Sequence, residues 1–103
     1  MENDPEVLRA KLTLETAKVG WGELQPFFAR GQTLWVSPNL DLIDIAVAVS
    51  NDDVQRIEQW QQRGELSGIT DDIAKDWLQR DPALWSVVVM PWVLVQEAKP
   101  VSH

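Results

Sequence analysis

The pattern of apolar and polar positions is most distinctive in residues 84–97, which read LWSVVVMPWVLVQE. β-Branched residues dominate this stretch and no helical period runs through it, so the pattern predicts β-strand. Both faces of residues 84–90 are apolar apart from Ser86, which implies that other parts of the protein pack on both faces of this strand. Pro91 cannot donate to a sheet ladder, and a tight hairpin at Pro91-Trp92 is disfavoured because the preferred two-residue turns need positive φ. We therefore expect a bent or bulged strand, or two short strands, with the second half near a sheet edge.

Apolar residues at helical spacing, with capping residues before them, predict four to five short helices ahead of this stretch. Asp4-Pro5-Glu6 is a helix start, and the first helix is expected to run to about Val19. The other helical segments are GELQPFFARG, LDLIDIAVAV, a segment that Ser50 caps with Val54, Ile57 and Trp60 on its buried face, and a segment that Thr70 caps. Thr33-Leu34-Trp35-Val36 is a short β-type run, and residues 64–68 are expected to form a loop. The chain is thus predicted to be an α+β protein, with short helices packed on a small β-sheet that contains residues 33–36 and 84–96.

Length and composition fit one folded domain. The chain has 103 residues, and its 45% apolar and 24% charged residues are close to the globular average. Six tryptophans without a tyrosine indicate a core rich in large aromatic side chains. No repeat or linker divides the sequence. We expect a single α+β domain over residues 1–103, with a flexible tail at 98–103.

The net charge of −7 narrows the possible partners, because an acidic surface repels phosphate groups. The nine Lys and Arg residues are spread singly, so neither nucleic acid nor an anionic membrane is expected as a partner. There is no Cys, the sole His is His103, and the glycines form no phosphate-binding pattern, so no cofactor is expected. The acidic start MENDPEV and the Pro-interrupted apolar run at 87–95 match neither a signal peptide nor a membrane helix. We expect a cytoplasmic protein.

The Val-rich stretch also raises the question of what covers its edge. An exposed apolar edge strand promotes aggregation unless another segment protects it. A second copy of the chain can do so, and closed two-fold dimers are the commonest oligomers. Helices of the same chain are the alternative cover. On this argument we expect a homodimer.

Three long segments carry a family resemblance. They read ETAKVGWGELQPFFARG, SPNLDLIDIAVAVSNDD and LWSVVVMPWVLVQE, with a Trp-bearing helix before the last. Together they extend over nearly the whole chain and resemble a small bacterial family known only as a domain of unknown function, DUF2288. The resemblance implies a bacterial, stand-alone, single-domain protein. It carries over no catalytic residue, substrate or cofactor.

Charged residues on the first helix form one candidate site. At about 100° per residue, Lys11, Glu15 and Lys18 form a strip between two apolar groups, with Glu15 one turn from each Lys. The strip is either a solvated row of weak ion pairs or a charged seam inside an interface or pocket.

Asp41 and Asp44 form a candidate cation site, because their i, i+3 spacing puts both carboxylates on one helical face. Oxygen ligands of this kind suit a hard divalent cation such as Mg²⁺. In the alternative interpretation, both acids simply favour the positive end of the helix dipole.

The aromatic residues provide a third candidate. Trp21, Phe27, Phe28, Trp35 and Trp92 can line a cleft for an apolar or cationic ligand. Aromatic residues at such spacing more often belong to a core.

Two functions remain open at this point. One is a non-enzymatic, cytoplasmic protein-interaction domain that self-associates. The other is a small-molecule or divalent-cation-binding protein with a carboxylate and aromatic cleft, including an enzyme that uses only carboxylates with Lys or Arg. The second function requires charged groups to converge on one cleft, namely Glu15, Glu23, Arg30, Asp41 and Asp44.

Overall fold

Ten elements form the fold in the computed structural model, which describes residues 4–98. The helices are α1 (Pro5–Glu15), α2 (Trp21–Ala29), α3 (Leu42–Ser50), α4 (Val54–Gln62) and α5 (Asp71–Arg80). The strands are β1 (Ala17–Val19), β2 (Thr33–Val36), β3 (Leu66–Gly68), β4 (Leu84–Val89) and β5 (Trp92–Glu97). The predicted α+β class is confirmed. Within residues 4–98, none of the helices has the length and apolar character needed to cross a membrane.

All five strands join one mixed sheet in the order β1-β4-β5-β2-β3. β5 lies in the centre, where it pairs antiparallel with β4 and parallel with β2. β1 and β3 are the edges, and each pairs antiparallel with a single neighbour. A parallel pair needs a crossover connection. Here residues 37–91 supply it by way of α3, α4, β3, α5 and β4.

Residues 84–97 form two strands joined by a two-residue turn at Met90-Pro91, with Val89 paired to Trp92. The predicted strand is confirmed, in the form of two short strands. The expectation that its second half lies near an edge is wrong, because β5 is the central strand. A tight turn does occur, one residue before the position considered, and the Met90–Pro91 peptide bond is cis. Neither Met90 nor Pro91 has a positive φ, so this turn is not one of the preferred types on which the expectation was based.

Helices cover both faces of the sheet, as the apolar pattern of residues 84–90 requires. α1, α3 and α4 pack on one face, here called the α3 face, and α2 and α5 pack on the other, the α5 face. Successive side chains of a strand point to opposite faces. Leu94 therefore enters the core of the α3 face, while Val93 and Val95 enter the core of the α5 face. The central strand thus contributes to both cores.

Side-chain caps fix several helix starts. Asp4 and Thr70 cap α1 and α5 as predicted, each by accepting a hydrogen bond from a backbone N–H of the first turn. α4 begins after Asp53, whose carboxylate accepts a hydrogen bond from the Arg56 backbone N–H. The prediction that Ser50 caps this helix is wrong, because Ser50 is the last residue of α3.

The sequence pattern does not predict the two edge strands. α1 ends at Glu15 and residues 17–19 pair with β4, so the prediction of a helix to Val19 is wrong. Residues 66–68, predicted as part of a loop, form β3 against β2. A three-residue strand carries too little alternation to be recognised in a sequence, and pairing with its neighbour decides its conformation.

The chain leaves β5 through Ala98, whose N–H donates to the Ala83 carbonyl oxygen at 3.0 Å. The rest of the tail for which flexibility is expected, residues 99–103, lies outside the described residues.

Gln96 ties the central strand to the loop that follows β2. Its side chain is buried, and its Nε2 donates to the carbonyl oxygens of Ser37 and Leu40, at 2.9 and 2.7 Å. Leaving a buried polar group without a partner costs about 1–3 kcal/mol. These two hydrogen bonds therefore hold the loop that leads into α3 against β5.

Replacing Gln96 tests this anchor. Gln96→Leu keeps the side-chain size but removes both donors, so we expect the free energy of unfolding to fall by about 2 kcal/mol. Urea denaturation measures the change, and Gln79→Leu on the exposed side of α5 is the matched control, expected to shift it by less than about 0.5 kcal/mol. Equal stabilities for the two variants would contradict the proposed role of Gln96.

Candidate functional site

The turn of the β4–β5 hairpin exposes apolar side chains. Met90 is 84% exposed, Trp92 is 38% exposed, and Val88 is also exposed. Two cavities adjoin this turn, and Met90 and Val49 line both of them. Ligand sites in proteins are concave and mostly apolar, so this region is the candidate functional site.

The larger cavity, here called the α1 groove, lies between α1, the end of α3 and the hairpin turn. Its volume is about 580 Å³. Lys11 and Glu15 line it beside apolar residues that include Leu8 and Val88. None of the four ion pairs found within residues 4–98 includes Lys11 or Glu15. Both charges are therefore available to a binding partner.

The second cavity, here called the Trp92 groove, lies between the hairpin and the junction of α3 with α4. Its volume is about 360 Å³, within the range of small-molecule sites. Leu34 and Ile57 contribute to its apolar lining, and Asp52 is the one charged residue among those that line it within the described chain. The backbone of Asp52 has a φ of 55°, in the left-handed region.

Lys18 does not join Lys11 and Glu15. Because α1 ends at Glu15, Lys18 lies on β1, and its Nζ is 4.8 Å from the centre of the Trp85 ring. The strip expected along one helix is therefore divided. Only Lys11 and Glu15 remain one turn apart on α1.

Asp41 and Asp44 are close together, and both contact Arg9 of α1. Arg9 Nη1 lies 2.6 Å from Asp44 Oδ1, and Arg9 Nη2 lies 3.5 Å from Asp41 Oδ2. The hydrogen bond to Asp44 is the largest cause that raises the pKa of Arg9 above its usual value. Asp41 also caps α3 by accepting a hydrogen bond from the Ile43 N–H at 2.9 Å. A cation at this pair would have to compete with the guanidinium group.

The five aromatic residues do not line one cleft. Trp21 is buried, and its ring centroid lies 5.3 Å from that of Phe28 in an edge-to-face contact. Phe27 and Trp35 pack against the same core on the α5 face. Trp92 lies on the α3 face instead. Its groove is lined by Leu34 and Leu66, which belong to the core of that face.

Glu23 and Arg30 lie at opposite ends of α2, on the α5 face. Glu23 Oε2 accepts a hydrogen bond from the Gly20 N–H at 3.2 Å, and Arg30 is an exposed residue just after the helix. Gly31 follows with a φ of 71°, in the left-handed region that favours glycine. Glu15, Asp41 and Asp44 belong to the other face, so the charged groups considered above do not converge on one cleft.

Sequence reasoning missed an ion-pair network at the C-terminal end of α5. Arg80 Nε donates to Asp76 Oδ1 at 2.8 Å, and the same guanidinium contacts Glu97 of β5. Glu97 also accepts a hydrogen bond from Trp77 Nε1 at 3.1 Å. The i, i+4 spacing of Asp76 and Arg80 was visible in the sequence, but the contribution of Glu97 requires the tertiary fold. The network joins α5 to the central strand and is structural.

Comparison with known proteins identifies the family. Residues 7–97 match the sequence model of the family described as Protein of unknown function (DUF2288). The NMR solution structure of PA1075 from Pseudomonas aeruginosa is similar to this chain, with 48% sequence identity and a TM-score of 0.81. The match covers 100% of this chain and 97% of that one. No curated protein sequence matches. The chain therefore belongs to the DUF2288 family, as its resemblance indicated.

The ion pair of Asp76 with Arg80 gives a pH prediction. The hydrogen bond from Arg80 lowers the pKa of Asp76, so the ionised carboxylate stabilises the native state above the unfolded-state pKa of about 3.9. This contribution is lost as the pH falls through the lower, native-state pKa. We therefore expect Asp76→Asn to lower the urea unfolding midpoint at pH ~6, and to differ less from the unmodified chain at pH ~3.

Glu58→Gln is the control for this experiment, because Glu58 is an exposed acid of α4 outside the four ion pairs of the described chain. An equal effect of Asp76→Asn at both pH values would contradict the assignment.

Proposed function

We propose that the chain is a non-enzymatic, cytoplasmic protein-interaction domain that self-associates through α1. The observation that carries the proposal is an apolar stripe on the outer side of this helix. Leu14 is 86% exposed, Val7 is 52% exposed, and Ala10 between them is exposed as well. Contiguous exposed apolar patches often mark protein–protein interaction sites.

The helix is apolar on two sides. At 100° per residue, Val7, Ala10 and Leu14 share one side, while Leu8 and Leu12 share another. Leu12 is buried in the core of the α3 face, and Leu8 packs against it. The stability of the domain accounts for the inner pair of leucines. The outer stripe contributes little to that core and is free to contact another molecule.

The charges next to the stripe favour a second copy as the partner. Lys11 and Glu15 lie one turn apart between the stripe and the core-facing leucines. In a two-fold interface, a contact of residue i with residue j is repeated as j with i. Two antiparallel copies of α1 that meet near Leu14 would set Lys11 of each copy against Glu15 of the other. Lys11 and Glu15 would then form the charged seam inside an interface that was considered from the sequence.

The Val-rich stretch does not form an exposed edge of the sheet, so it gives no reason for self-association. β4 and β5 both have neighbours on each side. The edges are β1 and β3, each three residues long, and short edge strands limit edge-to-edge pairing. The proposal of a homodimer therefore depends on the helix surface rather than on strand pairing.

Ligand binding is the second candidate function. It is favoured by the two cavities beside the hairpin turn, which have the volume and mixed lining of small-molecule sites. The α1 groove presents Lys11 and Glu15, and the Trp92 groove presents Asp52 and an indole ring. The Trp92 groove contains no residue of α1, so ligand binding there can be tested separately from self-association, whereas the α1 groove shares Lys11 and Glu15 with the proposed interface.

Leu14→Glu tests the apolar contact. Burial of two leucines is lost per dimer and two carboxylates are added to an acidic protein, so we expect the dimer dissociation constant to rise at least ~100-fold. Sedimentation equilibrium over a range of concentrations measures the constant. The matched control is Leu78→Glu, because Leu78 is also a largely exposed leucine, at 63%, but lies on α5. A chain that is monomeric at every concentration, or equal effects of both variants, would overturn the proposal.

Charge reversal tests the seam. Lys11→Glu alone and Glu15→Lys alone each place like charges together across the two-fold axis, and we expect each to weaken the dimer by roughly threefold to tenfold. The double variant restores opposite charges and should recover most of that loss. Additive effects in the double variant would show that Lys11 and Glu15 do not face each other, while leaving the contact through Leu14 intact.

A further inference from the structure

Three tryptophans of the α3 face differ in what lies over their rings. The Trp85 ring has Lys18 Nζ at 4.8 Å, and the Trp60 ring has the Arg56 guanidinium carbon at 4.9 Å. Within residues 4–98, no cation of the chain lies over Trp92. A cation near an aromatic face gains about 0.5–2 kcal/mol. The indole of Trp92 is thus a place where a cation from outside can bind.

The surroundings of Trp92 also favour a cation. Asp52 is the one charged residue among the described residues that line the Trp92 groove, and it belongs to none of the four ion pairs of the described chain. Asp52 is exposed at this groove beside apolar walls, where its carboxylate attracts positive charge. The net charge of −7 adds to this attraction over a longer range.

We propose that the Trp92 groove binds an alkylammonium group. The assignment rests on ligand binding, the second candidate function, and is independent of self-association through α1. The ammonium head lies between the Asp52 carboxylate, which accepts its hydrogen bonds, and the face of the Trp92 ring. The alkyl chain lies along Leu34, Ile57 and Met90. A groove of about 360 Å³ holds a chain of a few carbon atoms.

The polar groups of the groove favour a primary ammonium. Besides Asp52, the amide of Gln61 lines the same cavity and offers a second acceptor. A primary ammonium has three donors and can use both acceptors, whereas a quaternary ammonium can use neither. The same chemistry occurs in free aliphatic amines and in the side chain of a lysine, so the experiment includes both sources.

The test is an NMR titration of the full chain with n-butylammonium, compared with n-butanol as its neutral counterpart. The chain has six tryptophans, and a spectrum of the Trp92→Leu variant identifies the indole N–H signal of Trp92 by its loss. We expect n-butylammonium to shift this signal and to bind about tenfold more tightly than n-butanol. Blocked lysine, with its backbone amine acetylated and its carboxyl group amidated, represents a peptide partner.

Variants separate the charge from the ring. Asp52→Asn should abolish the preference for n-butylammonium over n-butanol while keeping the apolar walls, and Asn also tolerates the left-handed backbone at this position. Trp92→Leu should weaken the binding of n-butylammonium about tenfold, as measured from the backbone amide signals of the hairpin. Glu58→Gln removes one exposed acid outside the groove and should leave binding unchanged.

The outcomes distinguish the inference from the function on which it depends. Equal binding of n-butylammonium and n-butanol at this groove would overturn the cation assignment but leave ligand binding in place. Binding of neither would overturn both the cation assignment and ligand binding at this groove, and a shift confined to the signals of Trp60 or Trp85 would place the amine elsewhere and overturn the assignment. Binding of blocked lysine as tight as that of n-butylammonium would support a peptide source, and its exclusion would support a free amine.

Discussion

The pairing of β5 with β4 on one side and β2 on the other is the interaction on which the rest of the structure depends. It holds an antiparallel hairpin and a parallel crossover in one sheet. Alternating side chains of the same strand supply Leu94 to one core and Val93 and Val95 to the other. At its end, Gln96 and Glu97 reach the loop before α3 and the end of α5. A single strand therefore sets the positions of helices on both faces.

The sequence was informative where local chemistry decides the conformation. Asp4 and Thr70 begin helices because their side chains accept hydrogen bonds from the first turn, and that preference is encoded within a few residues. The apolar stretch at 84–97 indicated strands covered on both faces, because no polar face was available for solvent. In both cases the prediction needed no knowledge of distant partners.

The elements that the sequence did not predict depend on residues that are distant in the chain. Residues 17–19 and 66–68 become strands through pairing with β4 and β2, which no local pattern reports. The strip of charges at residues 11–18 was split for the same reason, since the helix gives way to an edge strand before Lys18. The position of β5 in the centre of the sheet follows from a partner about 60 residues earlier in the chain, Thr33 with Val93, and hydropathy cannot supply that register.

The candidate site could be predicted only in part, for related reasons. Lys11 and Glu15 lie on the helical face predicted for them, because helix periodicity fixes their mutual position. Trp92 was grouped with aromatic residues that turned out to face the other core, since the direction of a side chain on β5 depends on its register. Asp52 was not among the predicted site residues, because its place in a cavity depends on the packing of the hairpin against α3 and α4.

The parallel pairing of β2 with β5 also has a consequence for biosynthesis. β4 and β5 are the last of the ten elements in chain order, so a nascent chain that has emerged only through α5 has both edge strands but no centre. β1 then lacks its sole partner, and β2 has only β3. Such an intermediate exposes the apolar sides of its helices, which makes it prone to aggregation. Closure of the sheet requires the hairpin of β4 and β5, so the fold cannot be completed before residues 84–97 are available.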